Sequence, residues 1–407
     1  MSSSNGAASS SNGAAPLAGV TVADFTQNVA GPFAAMILAD LGADVIKIER
    51  PGQGDATREW GPPFPFGHGA AFLALNRNKR SVELDLGQPE GREAAKRLIQ
   101  RADVVIESSR PGAMDQLGLG PGRALELSPR LVYCSISAFG TLPSMAAERG
   151  YDPLVQALTG LMQATGVEGG DPARVGTSII DMGTGLWAAI GILAALRSAG
   201  AGQGGTWLQA SLFETGMAWM GYQAVEYWET GHSPRRWGTG LSIIVPYQAF
   251  PAAEAPVMIA AGNDGLFGRL VTALGVGWLA DDPRFQRNSD RVRNREALIP
   301  LLSERTAAIA SADLVERLRA AGVPCAKIRT LGEALSEPDV LASGLVHSTQ
   351  QAGGTLRLIG MPLLFNAQRC SLRLPPPRLG EHTADVLTEM DWRMTQERAV
   401  DDRPSRG

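Results

Sequence analysis

The stretch VTVADFTQNVAGPFAAMILADLGADVIKIE, Val20–Glu49, reads as strand, helix, strand. Its two ends are short β-branched runs, and the middle, Gly31 to Ala43, repeats apolar side chains at helical spacing. Strand, helix and strand within about thirty residues make one βαβ unit, which joins parallel neighbours. The alternation continues outward through KRSVELDL, a helix from Glu90 to Arg101, the strand ADVVIES, a short helical turn through Met114 and the strand LVYCSIS. Crossover helices cover both faces of a parallel sheet, so the expected class is an α/β fold with an open sheet.

After Gly150 the texture changes to long helical runs, DPLVQALTGLMQATG and then DMGTGLWAAIGILAALRSA, the latter apolar nearly all round and therefore buried. A glycine-rich connector, GAGQGG, leads to WLQASLFETGMAWMGYQAV, read as a further helical stretch, and from about His232 a Pro/Arg/Gly segment reads as a linker. Beyond it, IIVPYQAF and APVMIAAG predict a hairpin that opens a smaller domain, followed by helices over Leu266–Leu274, Arg295–Ile309 and Ala312–Ala321. TLRLIGMPLLF and LPPPRLGEHTADVLTEM close the chain with a last helix that returns to the first domain. The expected division is a disordered Ser/Asn/Gly/Ala tail over 1–15, a large α/β domain over 16–225, a smaller α+β domain with its linkers over 226–335, and a returning segment over 336–407.

Composition narrows the function. The 407 residues carry 37 Lys and Arg against 41 Asp and Glu, a net charge of −4, which argues against nucleic acid as a partner. Three scattered cysteines, Cys134, Cys325 and Cys370, offer no disulfide framework or CxxC pair, and imply a reducing compartment. The longest nearly uncharged apolar stretch, Gly183 to Leu196, is shorter than the roughly 20 residues of a membrane span. No Lys or Arg precedes Lys47, so the start lacks a targeting pattern, and a cytoplasmic location is the expectation. Four histidines, His68, His232, His347 and His382, stand far apart without metal-ligand spacing, so no metal is expected. TQNVAGP follows the first strand where a dinucleotide site would need GxGxxG.

One carboxylate stands out. Asp181 lies between GTSII and a helix whose first turn is Met-Gly-Thr-Gly. Capping is the ordinary role for a lone Asp at a helix start. Gly183 and Gly185, however, each cost roughly 1 kcal/mol relative to Ala, a loss tolerated where a backbone or ligand comes close. A helix start also favours negative charge, so Asp181 is expected to stay ionised and to serve as a nucleophile rather than a proton donor. Basic residues form a second group: Arg50 after the second strand, Arg77, Lys79 and Arg80 in LNRNKRS, and Arg110 in SSRPGAM. Loops after strand C-termini line the ligand crevice of an open sheet, where such cations suit a phosphorylated ligand, although solvated surface is the plain alternative. In RRWGTGLSIIVPY, Gly238 and Gly240 flank Thr239 in a loop without bulk that could close over a site.

Five segments in order, AGPFAAMILADLGADVIKIERPGQGDATREWGPP, LNRNKRSVELDL, GYDPLVQALTGLMQATG, GTSIIDMGTGLWAAIGILAAL and PPPRLGEHT, resemble the class III CoA-transferases, over about Pro16 to Leu387. The resemblance implies an interlocked homodimer of ring-like subunits, each with a discontinuous, Rossmann-like large domain and a smaller inserted one. It places the catalytic aspartate at Asp181 and a CoA-holding role at Arg50, Asn76, Arg77, Asn78, Lys79, Ser108, Ser109, Arg110, Arg149 and Tyr151. Val29, Trp60 and the mobile glycine loop Gly238, Thr239 and Gly240 fall on its substrate side. Coenzyme A is implied as substrate and carrier, with no permanently bound cofactor. Racemases of the family carry a histidine where GYD has Tyr151, so transfer is expected over racemisation. Formyl-CoA transferase carries glutamine at the position of Val29. RRWGTGLSIIVPYQAF, AAGND and PPPRLGEHT resemble the dicarboxylate subgroup typified by succinate:hydroxymethylglutarate CoA-transferase, in which Arg77, Arg235 or Arg236 could bind a distal carboxylate. The alternatives are a 2-methylacyl-CoA racemase and a CoA-binding protein without catalysis.

Overall fold

The computed structural model describes residues 15–146 and 148–390. The expected tail lies, up to residue 14, outside the described residues. A six-stranded parallel sheet is built from β1 (Thr21–Phe25), β2 (Asp44–Glu49), β3 (Lys79–Glu83), β4 (Val104–Glu107), β5 (Val132–Ser137) and β6 (Thr206–Ser211), in the spatial order β3-β2-β1-β4-β5-β6. That order is the doubly wound one, in which the chain moves outward first on one side of β1 and then on the other. The first crossover is α1 (Ala30–Asp40), so the βαβ unit read at Val20–Glu49 is present with its expected parallel register, Val22 beside Val45. Further helices are α2 (Ala70–Leu75), α3 (Pro89–Arg101), α4 (Ala113–Gln116), α5 (Pro121–Leu127), α6 (Asp152–Leu158), α7 (Leu161–Ala164) and α8 (Ile179–Gly200).

Ala23, Ile46, Val105 and Tyr133 on the sheet join Leu98 and Ile99 of α3 in one buried core. Val386 and Met390 of the returning segment enter the same core, and His382 N–H donates to the Ser81 carbonyl at 2.9 Å.

Local details differ from the sequence reading. The run 152–166 breaks at Gly160, whose φ of +82° turns the chain between α6 and α7. The last two residues of GTSII, Ile179 and Ile180, form the first turn of α8, so the helix starts two residues before Asp181. WLQAS is not helical but lies in β6, paired along its length with β5. The apolar stretch Gly183–Leu196 belongs to a longer helix of 22 residues, long and apolar enough by composition to cross a membrane. Here α8 packs on α1. An added Cβ at Gly185 would come within 2.6 Å of the Ala30 carbonyl oxygen, so the glycine permits close helix contact.

The chain divides into two compact units. One takes the described residues up to Val155, then Thr177–Ala218 and the chain from Ala342 onward; the other takes Gln156–Gly176 and Trp219–Leu341. The boundaries expected at 225 and 335 thus fall at 218 and 341, and a short segment before α8 goes with the second unit. That unit holds a three-stranded antiparallel sheet, β7 (Tyr247–Phe250), β8 (Val257–Ala260) and β9 (Cys325–Lys327). Its core of Phe250, Ile259, Phe267, Leu298 and Leu314 is separate from that of the first unit.

Candidate active site

β1 and β4 are neighbours whose connections leave in opposite directions, so the loops at their C-terminal ends part and leave a crevice. Gln27–Gly31 after β1, Ser108–Pro111 after β4 and Ile136–Gly140 from the end of β5 line a cavity of about 710 Å³ there. Trp60, Glu148, Arg149, Tyr151 and Asp181 complete its wall. Gln27 N–H donates to Ser108 Oγ at 3.2 Å, which ties the first two loops together. Arg110 and Arg149 are exposed, and among the described residues neither is paired with a carboxylate. Both cations remain available to an anionic ligand, such as a phosphate or carboxylate.

Asp181 is not the cap of α8; it lies in its first turn, three residues after Ser178, whose side chain makes no capping bond. The cap comes from Asp152, at the start of α6. Its Oδ2 accepts from the N–H groups of Ile180 at 2.8 Å and Asp181 at 3.3 Å, and it is only 2% exposed. This overturns the expectation of an easily ionised nucleophile. Burial first, and then the Asp152 charge, push the Asp181 carboxyl up to about 7. The helix start that should have favoured its charge is already occupied by another carboxylate. Of the two reasons for a glycine at Gly185, a backbone or a ligand close by, the structure shows the backbone, that of α1.

Of the residues given a CoA-holding role, Ser108, Ser109, Arg110, Arg149 and Tyr151 line the cavity, as do Val29 and Trp60 on the substrate side. Arg50 is exposed but lies outside the cavity wall. Asn76, Arg77, Asn78 and Lys79 do not line this cavity; all four are buried and bonded inside the first unit. Arg77 pairs with Asp40 at 2.6 Å, and Asn78 Nδ2 donates to Asp40 Oδ1 at 2.8 Å. Lys79 Nζ meets Asp24 at 3.0 Å and Asn76 Oδ1 at 2.8 Å, and burial pushes its ammonium down to about 8. Gly238, Thr239 and Gly240 belong to the second unit. There Gly238 and Gly240 line a cavity of about 540 Å³ with Tyr222, Arg235 and Trp237, and Thr239 Oγ1 accepts from Ala249 N–H at 2.9 Å.

The sequence reading missed Asp152, although an Asp directly before a helical run carries a capping signal. It also missed Gln27 and Asn28. Asn28 has φ of +67°, a left-handed conformation that Asn tolerates better than most residues and that marks a sharp turn in the cavity wall.

Residues 17–383 match CoA-transferase family III. The human succinyl-CoA:glutarate CoA-transferase is 37% identical over 93% of this chain and 87% of its own length. The succinate–glutarate CoA-transferase of Agrobacterium fabrum is 36% identical over 92% of this chain and 96% of its own. A crystal structure of a CaiB/BaiF family protein from Brucella suis superposes with a TM-score of 0.82 at 39% identity, covering 93% of this chain and all of that one. With an open-sheet crevice whose wall holds a carboxylate and two arginines, and with a family match over residues 17–383, the chain belongs to CoA-transferase family III.

Proposed function

We propose that the protein moves CoA from succinyl-CoA to a dicarboxylic acid such as glutarate or 3-hydroxy-3-methylglutarate, with Asp181 as the covalent centre. The carrying observation is the Asp181 carboxylate in the wall of the crevice, with no hydrogen-bond or ion-pair partner among the described residues, beside Arg110 and Arg149. Ionised Asp181 attacks the thioester carbonyl of succinyl-CoA and CoA thiolate leaves, giving a mixed anhydride. The thiolate then attacks the Asp181 acyl carbon and expels succinate, leaving an aspartyl-CoA thioester. The acceptor carboxylate displaces the thiolate to form a second anhydride. Attack of the thiolate on the acceptor acyl carbon gives the new CoA ester and restores Asp181. One difficult exchange becomes four acyl transfers between activated groups.

Relatives whose names carry succinyl-CoA with glutarate or mesaconate support the donor and acceptor classes. In the experiment, wild-type enzyme is incubated with succinyl-CoA and then hydroxylamine or borohydride, and the modified peptide is identified by mass spectrometry. Modification at Asp181 is expected, and modification elsewhere overturns the assignment. Asp181→Asn is expected to lose transfer by orders of magnitude with CoA affinity nearly retained. A 2-methylacyl-CoA incubated in D₂O is expected to take up no deuterium at its α-carbon.

The working unit in this reading is a homodimer in the cytoplasm. Leu186, Trp187 and Ile190 on α8, and separately Tyr222, Val225 and Trp228 in the second unit, are exposed apolar side chains of the kind a partner surface covers. Sedimentation equilibrium showing only a monomer at micromolar concentration would contradict the dimer.

A further inference from the structure

Lys47 of β2, Asp24 of β1, Lys79 at the start of β3 and Asp55 in the segment after β2 form a buried lattice, and none is more than 1% exposed. Lys47 pairs with Asp55 at 2.9 Å and Lys79 with Asp24 at 3.0 Å. Buried ion pairs of this kind gain little over apolar side chains of the same shape, because both charges must leave water. Stability alone therefore gives no reason for two of them side by side.

Their remaining bonds give one. Each of the four side chains holds the backbone between Thr26 and Pro32, the loop after β1 together with the first turn of α1. Asp24 Oδ1 accepts from Thr26 N–H at 3.0 Å, and Lys47 Nζ donates to the Thr26 carbonyl at 2.8 Å. Asp55 Oδ1 accepts from Asn28 N–H at 3.2 Å, at the left-handed turn. Lys79 Nζ donates to the Pro32 carbonyl at 2.9 Å. The loop is thus held at its entry, its sharpest bend and its exit. Between these points Gln27–Gly31 form the cavity wall shared with Asp181. Ala30 also touches α8 at Gly185, one turn beyond Asp181, so the clamped loop and the carboxylate meet through a direct helix contact.

We infer that Lys47, Lys79, Asp24 and Asp55 are positioning residues for CoA transfer, a buried charged frame that holds the loop 26–32 in the register the acyl group needs against Asp181. The inference rests on the reading of Asp181 as nucleophile. A displacement of about 1 Å in such a wall can cost on the order of 100-fold in rate without loss of binding.

Two uncharged double variants separate positioning from simple stability. Lys47→Met with Asp55→Asn keeps an oxygen for Asn28 N–H, whereas Lys47→Met with Asp55→Ala removes it. The expected result is a kcat for transfer that falls at least about 10-fold further in the second than in the first, with KM for succinyl-CoA within about 3-fold of wild type in both. Equal kcat in the two folded variants, or a rise in KM alone, overturns the inference. Hydrogen exchange of the wild-type enzyme tests the clamp without any substitution: the amides of Thr26 and Asn28 are expected to be protected as strongly as those of β1. Exchange at the rate of an open loop overturns it, whether or not the variants fold. If Asp181→Asn retains transfer, the nucleophile reading fails on its own. If Asp181→Asn is inactive while both double variants keep wild-type kcat, only the clamp fails.

Discussion

Replacing Asp181 by Asn should make the protein more stable at pH 8 and change it much less near pH 4.5. Asp181 is raised from 3.8 to about 7 by burial and by Asp152. A carboxyl raised in the folded state holds a proton that the unfolded chain releases. Stability from this group is therefore greatest below the unfolded value, declines between pH 4 and 7, and levels off above 7. A difference of roughly 3 pKa units at 1.36 kcal/mol each gives about 4 kcal/mol of destabilisation at pH 8, an upper limit because water enters the cavity. At pH 4.5 the same group contributes about 1 kcal/mol. Asn is close in size and cannot ionise, so Asp181→Asn removes the pH-dependent part. Urea unfolding of both proteins at the two pH values, without substrate, measures it. Equal stability at pH 8, or a gain that is the same at both pH values, would refute the claim that this site disfavours the charge.

Asp152→Asn keeps the oxygen that caps α8 but removes the neighbouring charge, so the acid limb of kcat/KM should move to lower pH while burial still holds it above the ordinary carboxylate range; an unmoved limb contradicts the coupling. Arg110→Gln and Arg149→Gln should each raise KM for succinyl-CoA by about 3- to 10-fold and change kcat little, measured by initial rates. Gly185→Ala places a Cβ against the Ala30 carbonyl and should cost about 1–3 kcal/mol in unfolding free energy while lowering kcat, since the strain lies one turn from Asp181.

The sheet was legible because its signal is local. Val20–Glu49 contains a whole βαβ unit, and the next strands repeat the alternation, so the class and the crevice at the strand ends follow from period and composition. The buried charges were not legible. Lys79 and Arg77 look like surface cations at a strand start, and only the folded sheet brings them to Asp24 and Asp40, which are 55 and 37 residues earlier. β6 escaped although its end is marked: Ser211 and Glu214 in SLFE form a capping pattern, with Glu214 N–H donating to Ser211 Oγ at 3.1 Å, and the strand runs into the next helix without an intervening loop. The site itself divides along the same line. Ser108, Arg110 and the loop after β1 reach the cavity because strand ends determine their place, whereas the environment of Asp181 depends on Asp152, 29 residues away in another helix.

That environment bears on mechanism. A carboxylate near 7 is only about half ionised at neutral pH, a loss of about two-fold in reactive population, but its oxygen is more basic than that of a free Asp and so a stronger nucleophile. The two causes that raise it, burial and the Asp152 charge, act only on the ionised form. The mixed anhydride and the aspartyl-CoA thioester of the proposed cycle carry no charge at Asp181, so neither is penalised by them. Formation of each covalent intermediate relieves a repulsion present in the resting ionised enzyme. In the cycle we propose, Asp152 serves both ends: its oxygen fixes the turn that presents Asp181, and its charge raises the energy of the free carboxylate relative to the acylated one. Removing that charge should shift the balance toward the free carboxylate, so Asp152→Asn should accumulate less hydroxylamine-trappable thioester at equilibrium with succinyl-CoA than wild type does. An equal or larger trapped fraction would show that the Asp152 charge plays no part in the energy of the intermediate.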